Sequence, residues 1–229
     1  MTEVSKVGQT QTAQQAQKAQ APKGGMQPDA RLEIREGMRV ADVEANGSEA
    51  QKLVAAAFDE IDAETRKGDG IYDKHEAVNF NDFRFALDKN KKELRAHNKN
   101  TGCTMIIKYN SLEELQNKDN LYMLRRIDNT NYYSGGEITH DYRNKKATYD
   151  GVTGDKSLIN SCYDEFEEVT FKNSSMDSID AQYFSGKLNI QNTKNVGTFW
   201  DSDTEIHVTE GKEPIINADA DSKIEIKRW

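Results

Sequence analysis

Residues 58–80 carry seven Asp and Glu side chains, with carboxylates gathered around an Asp69-Gly70 turn. Carboxylate and carbonyl oxygens crowded on one short loop suit a hard divalent cation such as calcium, which takes roughly six to eight oxygen ligands. Such a loop has to be held by its flanks. Upstream, Asn46-Gly47-Ser48 breaks the chain, and Ser48 with Gln51 forms a capping-box pattern that starts a helix. Leu53, Val54, Ala57, Phe58 and Ile61 then fall on one helical face. Downstream, Phe80, Phe83, Leu87 and Leu94 repeat at helical intervals, so the spacing predicts helix–loop–helix.

Position by position, the segment resembles an EF-hand. Phe58 and Ile61 stand four and one residues before Asp62, and Asp69-Gly70, Tyr72, Asp73, Glu76 and Phe80 follow the order of the closing half. The resemblance implies calcium held by Asp62, Glu64, Asp69, the carbonyl of Ile71, Asp73 and a bidentate Glu76. The loop departs from the family in its middle. Asp62 to Glu76 spans fifteen residues where the family uses about twelve, and Lys67 occupies a ligand position counted back from Gly70. Members of the family pair their loops. The nearby candidate for a partner loop, residues 88–93, lacks the turn glycine and is rejected.

The rest of the chain divides by composition. Residues 1–28 are rich in Gln, Ala, Lys and Gly and poor in apolar side chains, the signature of a disordered tail. Alternation around Gly37 predicts one or two short strands over residues 31–43. Residues 29–100 are expected to form a small helical, EF-hand-like domain, and residues 101–136 a junction. From Ile138 onward short β runs recur about every eight to eleven residues, separated by Gly, Asn, Asp and Ser. Leu188/Ile190, Ile206/Val208 and Ile224/Ile226 repeat at intervals of eighteen. That recurrence predicts an all-β half over residues 137–229, a parallel β-solenoid, with an antiparallel β-sandwich as the alternative. The expected fold class is therefore α+β.

Composition limits the function. Of the 229 residues 35% are hydrophobic and 31% charged, and the net charge is −8. Residues 161–229 carry fourteen Asp and Glu against seven Lys and Arg, a surface that repels nucleic acid and anionic lipid. The basic run over residues 84–99 has no interleaved aromatics and reads as a solvated helix face. No run approaches the about 18–20 apolar residues of a membrane-spanning helix. No Sec signal core is present in the sequence as written, which leaves open a trimmed signal, export by another route or a cytoplasmic protein. Cys103 and Cys162 read as free thiols, with a disulfide as the alternative outside the cytosol.

Other chemistry-bearing residues are sparser. His140 and His207 lie on predicted strands and read as solvent-facing, and His75 as exposed. The pairs Asp201/Asp203 and Asp219/Asp221 read as corner residues, and Tyr183, Phe184, Phe199 and Trp200 as core or edge packing. No nucleophile-elbow, zincin, Walker or Rossmann pattern occurs. The expectation is a non-enzymatic, calcium-binding structural or interaction protein, with a protein or polysaccharide ligand on its β half. The competing expectation is a polysaccharide-acting β-helix lyase or hydrolase.

Overall fold

The computed structural model describes residues 31–59, 68–160, 166–193, 196–200, 203–210, 215–218 and 220–228. The expected tail over residues 1–28 lies outside them.

Two short helices open the described chain, α1 (Val40–Asn46) and α2 (Glu49–Asp59). The Ser48 cap forms as the sequence predicts: Gln51 N–H donates to Ser48 Oγ at 3.2 Å and Ser48 N–H to Gln51 Oε1 at 3.1 Å. Gln51 also ties down the upstream segment, donating from Nε2 to the Leu32 carbonyl at 2.7 Å. The strand expected over residues 31–43 is replaced by irregular chain running into α1. Leu53, Val54, Ala57 and Phe58 bury the predicted face of α2.

Helix α3 (Lys74–Asp82) follows the acidic loop and stops sooner than its apolar spacing suggests. Phe83 is already extended and begins β1 (Phe83–Asp88), which turns back into β2 (Glu93–Asn98). Residues 83, 85 and 87 also fit a strand period, and here that period wins. Phe83 and Phe85 both pack on Phe58, with ring centroids at 5.4 and 5.7 Å, a contact a continued helix would not offer. The basic run is thus a β-hairpin rather than a helix face. Residues 88–93 form its turn, with Lys92 left-handed and Asp88 Oδ1 accepting from the N–H groups of Asn90 and Lys91.

Strand β3 (Thr104–Lys108) is antiparallel to β2. After the short helices α4 (Leu112–Gln116) and α5 (Leu121–Arg125), β4 (Glu137–Asp141) pairs with β3 in parallel, and β5 (Lys146–Asp150) is antiparallel to β4. Thereafter the chain alternates between two sheets. Strands β7 (Glu168–Lys172), β9 (Ser185–Gln191), β11 (Asp203–Glu210) and β13 (Lys223–Arg228) add to the first. Strands β6 (Thr153–Asn160), β8 (Ser175–Gln182), β10 (Val196–Trp200) and β12 (Ile215–Ala218) make the second, a four-stranded sheet.

These pairings overturn the expected fold class. One mixed nine-stranded sheet runs from β1 to β13, antiparallel and parallel by turns, where a small helical domain followed by a separate β-solenoid was expected. The antiparallel sandwich fails as well, because β5 to β13 pair in parallel. Strand partners are set by long-range contact, which a local apolar period cannot report.

The expected eighteen-residue repeat holds for one step. Leu188 lies beside Ile206 and Ile190 beside Val208, but Ile206 is followed by Ile226, twenty residues on, and Ile224 sits beside Thr204. Val169, Leu188 and Ile206 form a buried row between the sheets. Asn173 and Asn192 take left-handed backbone at stacked corners, joined by a side-chain hydrogen bond of 3.1 Å. On the outward face charges alternate across strands: Lys108, Asp141, Lys146, Glu168, Lys187 and Glu205 are successive neighbours. Lys146 and Glu168 pair at 2.6 Å, and Glu205 pairs with Lys227 at 2.6 Å.

Candidate metal centre

The acidic loop is built between the end of α2 and the start of α3. Asp59, the last residue of α2, accepts from the Gly70 N–H at 3.0 Å through Oδ2. Asp69 Oδ1 accepts from the Ile71 N–H at 2.9 Å, closing the turn. Asp73 caps α3, accepting from the Glu76 N–H at 2.7 Å, and Glu76 Oε2 accepts in return from the Asp73 N–H at 2.8 Å. One oxygen of each carboxylate is thus committed to the helix start.

A second strand of chain braces the loop. Gly37 N–H donates to the Tyr72 carbonyl at 2.8 Å, Tyr72 N–H to the Met38 carbonyl at 2.9 Å, and Val40 N–H to the Gly70 carbonyl at 2.9 Å. Gly37 and Gly70 have nearly equal left-handed φ angles, +80° and +82°, and each leads into a helix. The partner for the loop therefore lies upstream at residues 37–40. The shared signal was a glycine three or four residues ahead of a helix start, which the alternating apolar residues of that stretch concealed. Tyr72 anchors the pair to α2. It is fully buried, and its hydroxyl donates to the Ala55 carbonyl at 2.8 Å.

Burial and mutual repulsion govern the charges. Glu76 is only 5% exposed. Its carboxyl is pushed up to about 7, first by burial and then by the neighbouring charges of Asp73, Asp59 and Asp69. Asp59 is also raised, by burial foremost and then by Asp69. Its second oxygen, Oδ1, is buried with no hydrogen-bond partner among the described residues. Leaving a buried carboxylate oxygen bare costs about 1–3 kcal/mol or more.

Of the six residues expected from the sequence, Asp69, Asp73 and Glu76 lie in the described part of the loop, where the charges of Asp73, Asp59 and Asp69 act on Glu76. Ile71 lies in the bridged segment with its side chain about half exposed. Asp62 and Glu64 lie outside the described residues. Among the described residues no group of three or more Asp, Glu, His or Cys side chains is placed to hold a metal ion. Sequence reasoning missed Asp59, because the family's spacing starts the loop three residues later.

Elsewhere, two histidines depart from expectation. His140 is 2% and His207 6% exposed. His207 Nε2 bonds Glu205, and the His140 ring is enclosed by Tyr142, Tyr149 and Phe166 at 6.1, 6.2 and 4.9 Å. Phe184 is core and Tyr183 exposed at a left-handed corner, while the side chains of Phe199, Trp200, Asp201, Asp203 and Asp219 lie outside the description. Cys103 is a buried free thiol pushed up to about 12 by burial, and Cys162 lies outside the described residues.

No family model, curated protein or solved structure matches the chain. Among the described residues no helix is long and apolar enough to cross a membrane.

Proposed function

We propose that the chain is a non-enzymatic structural or interaction protein in which calcium clamps the end of α2 to the start of α3. The observation that carries this is the bare, buried Oδ1 of Asp59, in a segment where the charges of Asp73, Asp59 and Asp69 add to burial in raising Glu76. A cation there meets the unpartnered oxygen and relieves the repulsion that raises Glu76. The bracing by residues 37–40 supports the same reading, since EF-hand loops work as hydrogen-bonded pairs. In this proposal the remaining oxygens come from Asp62, Glu64 and the carbonyl of Ile71, to reach the roughly six to eight that calcium takes.

Calcium titration by calorimetry tests it, on the wild type, Glu76→Gln and Asp59→Asn. The wild type should bind with measurable heat, and each substitution should weaken binding at least about tenfold by removing a charged ligand. Equal binding by all three proteins would place any calcium elsewhere, and no heat from the wild type would end the proposal. Melting curves with calcium and with chelator read the clamp itself, because a ligand bound to the folded form alone raises Tm.

A further inference from the structure

The nine-stranded sheet has two outer strands, and they are finished differently. β1 is covered, with α2 and α3 packed against it and Phe83 fully buried. β13 pairs with β11 along one side, and among the described residues no strand pairs with its other side. An open strand of six residues presents a row of backbone donors and acceptors, and native sheets shield such edges unless the edge is used.

The apolar row between the sheets continues into this edge. Ile226 follows Leu188 and Ile206 in that row, yet Ile206 is fully buried and Ile226 is 41% exposed. On either side of it sit Glu225 and Lys227, both directed to the outward face.

We propose that β13 pairs with β13 of a second copy, antiparallel about a two-fold axis through Ile226. In that register Ile226 meets its own counterpart, and Glu225 opposes the second copy's Lys227 at both ends of the contact. Charge order selects the register. Centring on Glu225 would set Glu225 against itself and Lys223 against Lys227, and centring on Lys227 would stack like charges too. Centring on Ile224 keeps opposite signs but pairs only half of the strand. A symmetric contact of this kind is self-complementary and closes at two copies. It covers Ile226, ends the open edge and joins two nine-stranded sheets into one.

Sedimentation velocity on the full chain over a concentration series tests this. The wild type should show a monomer–dimer equilibrium. Glu225→Lys and Lys227→Glu should each place two like-charged pairs in the contact and weaken the dimer about tenfold or more. The double variant Glu225→Lys/Lys227→Glu restores opposite signs in this register and should dimerise as the wild type does. Circular dichroism confirms the fold of each variant, and Ile226→Lys gives a second route to the monomer. A wild type that stays monomeric at every concentration overturns the proposal. So do larger open assemblies, indifferent single reversals, or a folded double variant that fails to recover.

Discussion

The backbone N–H of Tyr72 donates to the carbonyl oxygen of Met38 across 2.9 Å, joining two glycine-led segments that lie 34 residues apart in the chain. That bond, with its two neighbours, makes the acidic loop half of a pair. It also places a left-handed glycine on each side, Gly37 and Gly70.

The two glycines should be costly to replace for a conformational reason alone. No atom lies within 4 Å of the space a Cβ would occupy at Gly37 or Gly70. Gly37→Ala and Gly70→Ala should therefore each lose about 1–2 kcal/mol through the left-handed backbone rather than through a clash. Urea denaturation measures it. A loss within error of zero at both sites would mean that the paired loops are not held in this conformation.

Glu76 should make stability depend on pH in the unusual direction. Its folded value, about 7, lies above the ordinary 4.5 of a glutamate, so the folded state holds the proton more tightly. With chelator present, its contribution is undiminished below about 4.5 and is lost as pH rises from there through about 7. Glu76→Gln should flatten that part of the profile, because the amide does not ionise. Saturating calcium should reverse it by favouring the carboxylate. Thermal melting between pH 4.5 and 8 reads all three profiles, and parallel curves for wild type and variant would contradict the buried position of Glu76.

His140 should act oppositely. Both ring nitrogens are buried with no hydrogen-bond partner among the described residues. Burial, and then the charge of Arg126, push the imidazole down to about 3 from its usual 6.5. Stability from this group is present above about 6.5 and is lost as pH falls toward 3, since only the unfolded chain takes up the proton readily. His140→Phe among Tyr142, Tyr149 and Phe166 should remove that acid sensitivity. Retention of the full acid transition in a folded His140→Phe protein would assign it to other groups.

The observed register makes Ile206 and Ile224 unequal. Ile206 is fully buried between Leu188 and Ile226, whereas Ile224 is partly exposed beside Thr204. Ile206→Ala should cost about 2–5 kcal/mol by opening a cavity, and Ile224→Ala clearly less. Equivalent losses in denaturant melts would support a uniform eighteen-residue repeat instead of the observed step of twenty.

What the sequence determined by itself was local. Ser48 and Gln51 start α2, Asp69-Gly70 turns, and short β runs recur after Ile138, because each depends on bonds or periods within a few residues. Tertiary structure decided the rest. Phe80 and Phe83 share one helical spacing, yet Phe58 draws Phe83 and Phe85 into a strand. Residues 37–40 became the loop's partner through backbone hydrogen bonds, whose one trace in the sequence is the glycine that leads each segment. His140 reads as an ordinary strand histidine until its near neighbour Tyr142 and the more distant Tyr149 and Phe166 close over it. The acidic turn was visible in the amino acids, but Asp59's bare oxygen arises only when α2 ends against Gly70, a contact made by the fold.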